Sequence, residues 1–387
     1  MQLQRLESHT PLLSGIVDES LKEHSNNTSD KSISAATSAI QNTPTTSSCT
    51  PKPIASANST LSEEILSLKT KVLNARLKCM QEIVRNSQNA LEGSKEDKTW
   101  LEKGMWYPED FLDACIKHNQ QEKIDFIVNK EKFLYGYADP KYFKRLIELG
   151  GTKPERFCFR VKKGVSASEA LNAIIRGFSI SDCAMAHSVS CYSAILEIIG
   201  KEKFDKIFQG KFRMIIGRPV HQPVPIDLFL RYTSDKLIKD TKIGDRDVIE
   251  GESYYIEGVK DYYDKFPFSF LGAHNTVCVK ATSGEQLFTS LGLNPEGESE
   301  EQIYTKFVDA FNKTPNPEKG LSKELKIKHH RLIERAKNLS NVQATVNDVL
   351  GFNKALKSFK LDLLAAIVAT KPEDVVAGRY FNFFANE

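Results

Sequence analysis

Charges of the two signs nearly cancel in this sequence, long apolar runs are missing, and the cysteines do not pair by spacing. Each shortage removes a class of function. Lys plus Arg number 53 against 50 Asp plus Glu in 387 residues, a formal net charge of +3. No global field therefore draws the chain toward nucleic acid or anionic lipid, and any partner is chosen locally. The longest unbroken apolar run, Leu363 to Ala369, is far short of the roughly 20 residues of a membrane-crossing helix, so no membrane span is expected. The opening MQLQRLESHTPLL lacks the basic segment and apolar core of a cleavable secretory signal, which leaves export by another route open. Seven cysteines at 49, 79, 115, 158, 183, 191 and 278 make an odd set with no C-x-x-C pair, against both a disulfide framework and a structural zinc site. They read as reduced thiols. Neither G-x-G-x-x-G nor G-x-x-x-x-G-K-[ST] occurs, and His329 and His330 are adjacent rather than spaced along one helical face. Neither a nucleotide cofactor nor a metal is expected.

What is present divides the chain into four stretches. From Ser25 to Thr60, 20 of 36 residues are Ser, Thr or Asn and none is aromatic, too little apolar surface to offset the entropy of ordering, so residues 1–60 read as a disordered leader. Asn26 and Asn58 stand in glycosylation-type triplets, which arise by chance in so Asn- and Thr-rich a tract. Thr60 with Glu63 makes a capping box ahead of a helix to about Gly93. Its two apolar stripes, through Ile65, Leu68, Val72, Ala75 and Cys79 and through Leu66, Leu73, Leu77, Met80 and Val84, are together wider than a coiled-coil seam, so the helix is expected to pack on its own domain. Pro108 opens a further helix, and Asp139-Pro140 another that ends at Gly150-Gly151. Residues 61–157 are thus read as helical.

Residues 158–293 read as α+β. Ser166 with Glu169 caps one helix and a second runs from Asp182 to Ile199. Five strand-like runs follow, at 212–217, 226–232, 253–259, 275–281 and 285–291, and predict one antiparallel sheet. The last two are joined by Thr282-Ser283-Gly284 as a hairpin. Helical patterns return over 294–387. The basic stretch Lys319 to Lys337 is interrupted by Glu324 and Glu334 and carries no aromatic stacking residues, so it reads as a solvated helix face and not a nucleic-acid site.

One cysteine stands out. Cys183 falls at the predicted N-terminus of a helix behind Ser181 and Asp182, where unpaired backbone N–H groups and the helix dipole favour thiolate over thiol. A cysteine nucleophile needs a base, and His187, His221 and His274 lie in the same segment. His274, on a predicted strand edge, is preferred because it can approach the helix terminus across a cleft. His187 follows Cys183 by one helical turn and has little freedom to swing between acid and base roles, and His221 in P-V-H-Q-P reads as a loop residue. Cys191 reads as core.

The stretch G-V-S-A-S-E-A-L through D-C-A-M-A-H to K-E-K-F-D-K-I-F, residues 164–208, resembles the region around the active cysteine of bacterial spore-coat-type protein-glutamine gamma-glutamyltransferases. Cys183, Ala184, Ala194, Gly200, Glu202 and Phe204 carry the likeness without a gap. More loosely, G-E-S-Y-Y-I at 251–256 and G-A-H-N-T-V-C-V at 272–279 resemble two strands of that family. The likeness spans about residues 160–293. It implies a papain-like cysteine fold flanked by helical regions, acyl transfer through a thioester on a glutamine carboxamide, a protein substrate carrying that glutamine, and lysine as an amine donor. It also implies a departure: His274 stands where the family carries a catalytic Glu, and the position facing it, by hairpin register about Leu291, is apolar.

The reading is therefore a transglutaminase or glutamine deamidase with Cys183 and His274 as the catalytic pair. A papain-like protease or ubiquitin-directed hydrolase and a catalytically silent binding module are the alternatives. No polarising acid is identified: Glu285 lies at the far end of the hairpin, roughly 15 to 20 Å along the strands, and Asp182, Glu252 and Asp261 remain as candidates. The Ser/Thr-rich leader and helical flanks suit, by analogy of architecture, a bacterial effector acting in a host cytosol.

Overall fold

A computed structural model describes residues 55–92, 102–147, 154–209, 213–217, 225–232, 248–280, 284–353, 357–371 and 374. Two compact units are distinguished, Met1–Glu63 and Glu64–Glu387. The first is described only where helix α1 (Ala55–Glu92) opens. That helix begins ahead of the Thr60/Glu63 box, so residues 55–60 are helical where a disordered leader was expected. Once a helix is nucleated each further residue adds a hydrogen bond, and propagation can carry it back past a capping signal. The rest of the leader, with Cys49 and Asn26, lies outside the described residues.

In the second unit, α1 buries Val72, Ala75, Cys79, Met80, Ile83 and Val84 in the main core. The chain continues through β1 (Met105–Trp106), α2 (Pro108–Lys117), α3 (Gln121–Val128), α4 (Lys132–Tyr135), β2 (Phe143–Ile147) and β3 (Pro154–Val161). The all-helical expectation for 61–157 fails here. Asp139-Pro140 opens a turn, closed by Asp139 Oδ1 accepting from Lys141 N at 2.8 Å, and residues 143–147 then pair antiparallel with β3. The run Tyr142-Phe143 to Leu146-Ile147 suits either structure by composition, and a strand partner close behind it decides.

Helix α5 (Ala167–Arg176), capped by Ser166 Oγ accepting from Glu169 N, leads through β4 (Ser179–Ile180) into α6 (Cys183–Ile199) and α7 (Lys201–Gln209). The five strand-like runs then go to different sheets. The first becomes β5 (Ile215–Ile216), third member of a β2-β3-β5 sheet. The second is a 3-10 turn followed by β6 (Leu230–Tyr232). Only the last three, β7 (Ser253–Val259), β8 (Ala273–Lys280) and β9 (Gln286–Thr289), form the antiparallel ladder expected, with helix α8 (Tyr262–Lys265) between β7 and β8.

Beyond α9 (Glu300–Asn312), α10 (Lys323–Lys328) and α11 (His330–Asn338), the region read as helical contributes two strands before α12 (Leu361–Ala369). β10 (Val349–Asn353) pairs with β7 to give the order β10-β7-β8-β9, and β11 (Lys357–Phe359) pairs with β6. An open sheet edge can be covered by any segment that returns to it, and local pattern carries no record of which one does. Helices and antiparallel strands together make an α+β fold. The basic stretch at 319–337 is laced with acids: Lys337 pairs with Glu318 at 3.0 Å, Lys326 with Glu318 at 3.5 Å and Arg335 with Asp264 at 2.6 Å. Among the described residues no helix is long and apolar enough to cross a membrane.

The four-stranded sheet has two faces, and alternation along β8 assigns its side chains. Val277 and Val279 join α6 in the main core, while Cys278 faces the opposite cluster with Ile303, Phe307 and Phe311 of α9. By the period of two, Ala273 and Asn275 share the α6 face and His274 the α9 face.

Candidate active site

Two short pairings bring the site together. β1 and β4 run parallel with Met105 opposite Ser179 and Trp106 opposite Ile180, and Ser181 N donates to Trp106 O at 2.8 Å. One strand runs on into Tyr107 and the other through Ser181 into Asp182, the cap of α6. Tyr107 precedes Pro108, which holds it extended (φ −66°, ψ 144°) as the N-cap of α2. Asp182 Oδ1 accepts from Met185 N at 2.9 Å and starts α6 on Cys183.

Cys183 is buried and its sulfur meets the edge of β8. Asn275 donates to Sγ twice, from the backbone N at 3.3 Å and from Nδ2 at 3.5 Å, and Sγ lies 3.7 Å from Ala273 O. On this side of β8 the pairing with β9 ends at Val277 and Thr289, so Asn275 N turns to the sulfur while Asn275 O accepts from Ser290 Oγ at 2.8 Å. The Tyr107 hydroxyl acts on the sulfur too, holding the thiol lower than burial alone would, while the thiol in turn raises Tyr107. That hydroxyl donates to Leu291 O at 3.1 Å and lies 3.5 Å from His274 Nδ1.

His274 is buried on the neighbouring face and stacks on Phe307, with ring centroids 5.3 Å apart and planes at 28°. The expected direct meeting of imidazole and thiol is not what the structure holds; Tyr107 contacts both. Continuing the register of Val277 with Thr289 brings Gly292, rather than Leu291, opposite His274. Gly292 has φ +83°, and a Cβ there would stand 2.8 Å from Tyr107 Cε2. The Tyr107 ring thus fills the place a facing side chain would take.

The electrostatics correct the expectation of a resting thiolate. Burial pushes the Cys183 thiol up to about 11, reinforced by the charge of Asp182, and the Asn275 donors only partly offset this. Burial likewise pushes His274 down to about 3, with Lys306 adding to it. At neutral pH the pair is a thiol and a neutral imidazole, because desolvation outweighs the helix N-terminus. Tyr107 is held well above its ordinary value, first by burial and then by the charges of Cys183 and Asp182.

The other candidates are placed elsewhere. Nε2 of His187 contacts Arg76 and lies 2.5 Å from Ser253 Oγ on β7, committed to a buried polar contact rather than to Cys183. His187→Ala is expected to cost roughly 1 to 3 kcal/mol by leaving buried donors unpaired, read by urea unfolding, while thiol reactivity per folded molecule stays within about twofold. His221 lies outside the described residues. Asp182 is occupied as a cap, Glu252 pairs with Lys69 at 3.8 Å, and Asp261 takes a left-handed backbone (φ 60°) at the start of α8. Among the described residues the side chains that meet the His274 ring are Tyr107 and Phe307, neither of them an acid. Cys191 and Cys278 are buried in separate clusters, and burial pushes Cys278 up to about 12. Among the described residues no cluster of His, Cys, Asp and Glu is set to hold a metal.

Glu109, next but one to Tyr107, ties α2 to the segment entering β8. Its Oε1 accepts from Phe270 N at 3.0 Å, while Oε2 is buried without a partner. Burial raises its carboxyl to about 7. A raised carboxyl makes the folded state bind protons more tightly than the unfolded one. Its contribution to stability is full below about pH 4.5 and declines as pH rises to 7. Glu109→Gln should remove up to roughly 3 kcal/mol of that decline, measured as the unfolding midpoint in urea across pH 4 to 8.

These features define a class: an α+β protein with a helix-terminal cysteine held against the edge of an antiparallel sheet. Residues 118–260, less than half of the chain, match the family model for protein-glutamine gamma-glutamyltransferase. The matched segment contains α6 with Cys183 and all of β7, and stops short of β8 with His274 and Asn275. Among solved structures, a transglutaminase from Geobacillus stearothermophilus without its C-terminal extension is similar at 14% identity and a TM-score of 0.44, over 80% of this chain and 99% of that chain. No curated protein matches. What the family match supports is acyl transfer on protein glutamine as a class of chemistry.

Proposed function

We propose that this chain transfers the acyl group of a protein glutamine through a thioester on Cys183, with His274 as the base. The observation that carries the reading is the placement of Cys183 at the first turn of α6, inside the matched segment, with Asn275 donors converging on its sulfur. Attack of Sγ on the γ-carboxamide carbon places negative charge on the carboxamide oxygen. Unpaired N–H groups at the start of α6, including that of Cys183, and the Nδ2 of Asn275 are the donors available to stabilise it. Ammonia leaves and the thioester remains. A lysine amine would resolve it to an isopeptide bond, and water to glutamate.

Support for the papain-like arrangement comes from the helix-borne cysteine facing the sheet edge. Burial of Cys183 and Tyr107 favours an amine over water by keeping bulk water from the thioester. The test is to incubate the protein with a glutamine-containing protein and a fluorescent primary amine, following label incorporation and free ammonia together. Label with ammonia is the expected result. Ammonia alone would assign a deamidase, peptide cleavage a protease, and absence of all three would overturn catalysis on this scaffold.

A further inference from the structure

Cys183 and His274 sit on different sides of the β8 edge, and the Tyr107 hydroxyl is the polar group in contact with both. It has one proton and three acceptors to share it among, Leu291 O at 3.1 Å, His274 Nδ1 at 3.5 Å and the Cys183 sulfur. A turn about its C–O bond changes which one receives it. The ring cannot drift: Pro108 fixes the backbone, β1 fixes the approach, and Gly292 leaves only enough room for the ring edge. Such a group is pre-positioned and buried, the two properties that let a hydroxyl carry a proton without reorganising water.

We infer that Tyr107 is a catalytic residue that relays the proton between the Cys183 thiol and His274 Nδ1. This rests on the acyl-transfer reading for its substrate, though not for its chemistry at sulfur. As Sγ bonds to the carboxamide carbon, the thiol proton passes to Tyr107 Oη while the hydroxyl proton passes to His274 Nδ1. When the C–N bond breaks, the imidazolium returns its proton through the hydroxyl to the departing nitrogen, which leaves as ammonia. In the second half the incoming amine or water gives its proton back along the same path to sulfur as the thioester opens. No proton is gained or lost by the enzyme over the cycle. The neutral imidazole of the resting site is what such a relay requires, since only the unprotonated Nδ1 can accept.

The test is Tyr107→Phe, which keeps the ring against Gly292 and removes only the hydroxyl. The first readout is inactivation of Cys183 by iodoacetamide from pH 5 to 10, with the modified residue identified by peptide mapping; it needs no acyl substrate. Wild type is expected to show a flat limb through neutral pH, where the relay removes the proton as the bond to carbon forms. In Tyr107→Phe that limb should vanish, the rate at pH 7 falling about 100-fold, at the low end of the 10² to 10⁴ expected of proton transfer. What remains should rise with hydroxide alone. His274→Gln should give the same profile, and the double variant should be no slower than either single one, because both remove one path. Ammonia release from a glutamine substrate should fall in parallel. A wild-type profile in Tyr107→Phe, or losses that multiply in the double variant, would overturn the relay. Should wild type release no ammonia from any glutamine substrate, the proposed function fails while the inactivation profiles still decide the relay.

Discussion

Cys183→Ala is expected to abolish amine incorporation and ammonia release to background, whereas Cys191→Ala and Cys278→Ala retain most of the wild-type rate per folded molecule. Six described cysteines are free and buried, so neither oxidation state nor exposure singles one out. Position does: Cys183 alone stands at the first turn of a helix of four or more turns with two donors from Asn275 on its sulfur. Removing a nucleophile leaves only what binding and the oxyanion donors supply, a loss on the order of 10⁶ where it has been measured in a serine protease. Cys191 and Cys278 contribute packing, and trimming each costs about 1 kcal/mol, which appears in unfolding and not in turnover. The measurement is initial rate with a fluorescent amine, normalised to folded protein by circular dichroism. Equal rates in Cys183→Ala and wild type would assign the chemistry elsewhere.

The second large effect is that of His274→Gln, which should lower the acyl-transfer rate by about 10² to 10⁴ and change how the protein responds to acid. The two consequences have one origin, a buried neutral imidazole against Phe307. Its folded value near 3 lies below the ordinary 6.5, so between those limits the unfolded chain binds the proton and the folded one does not. The stabilisation is complete above about pH 6.5 and is lost as pH falls toward 3, worth up to about 5 kcal/mol over the whole interval. Gln does not titrate, so the variant should lose less stability than wild type between pH 7 and pH 4. Urea midpoints at half-unit steps of pH read this directly. A variant with normal turnover, or one with an unchanged acid limb, would contradict the role or the burial respectively.

Much of the site was legible because its signals are local. Asp182 caps α6 through Met185 N, Ser166 caps α5 through Glu169 N, and a helix that begins on a cysteine is written in adjacent residues. The β8–β9 hairpin was legible for the same reason, with Gly284 at φ +82° where the loop needed it. Tyr107 was not: it lies in W-Y-P, far from Cys183 in sequence, and reaches it only because β1 pairs with β4. Asn275 carries no signal of its own beside His274, yet strand alternation puts the two on opposite faces and makes Asn275 the neighbour of sulfur.

By itself the sequence determined the helix that presents Cys183, the hairpin that carries His274 and the α+β class, since caps, turns and apolar periods act over a few residues. The tertiary structure alone decided which strands share a sheet, that β10 and β11 return from the C-terminal region to pair with β7 and β6, and that residues 143–147 are a strand. It also decided the protonation of the site. A helix N-terminus favours thiolate, but the packing of α2, α6 and β8 removes water from the sulfur and from the imidazole, and desolvation summed over three elements exceeds what one helix dipole supplies.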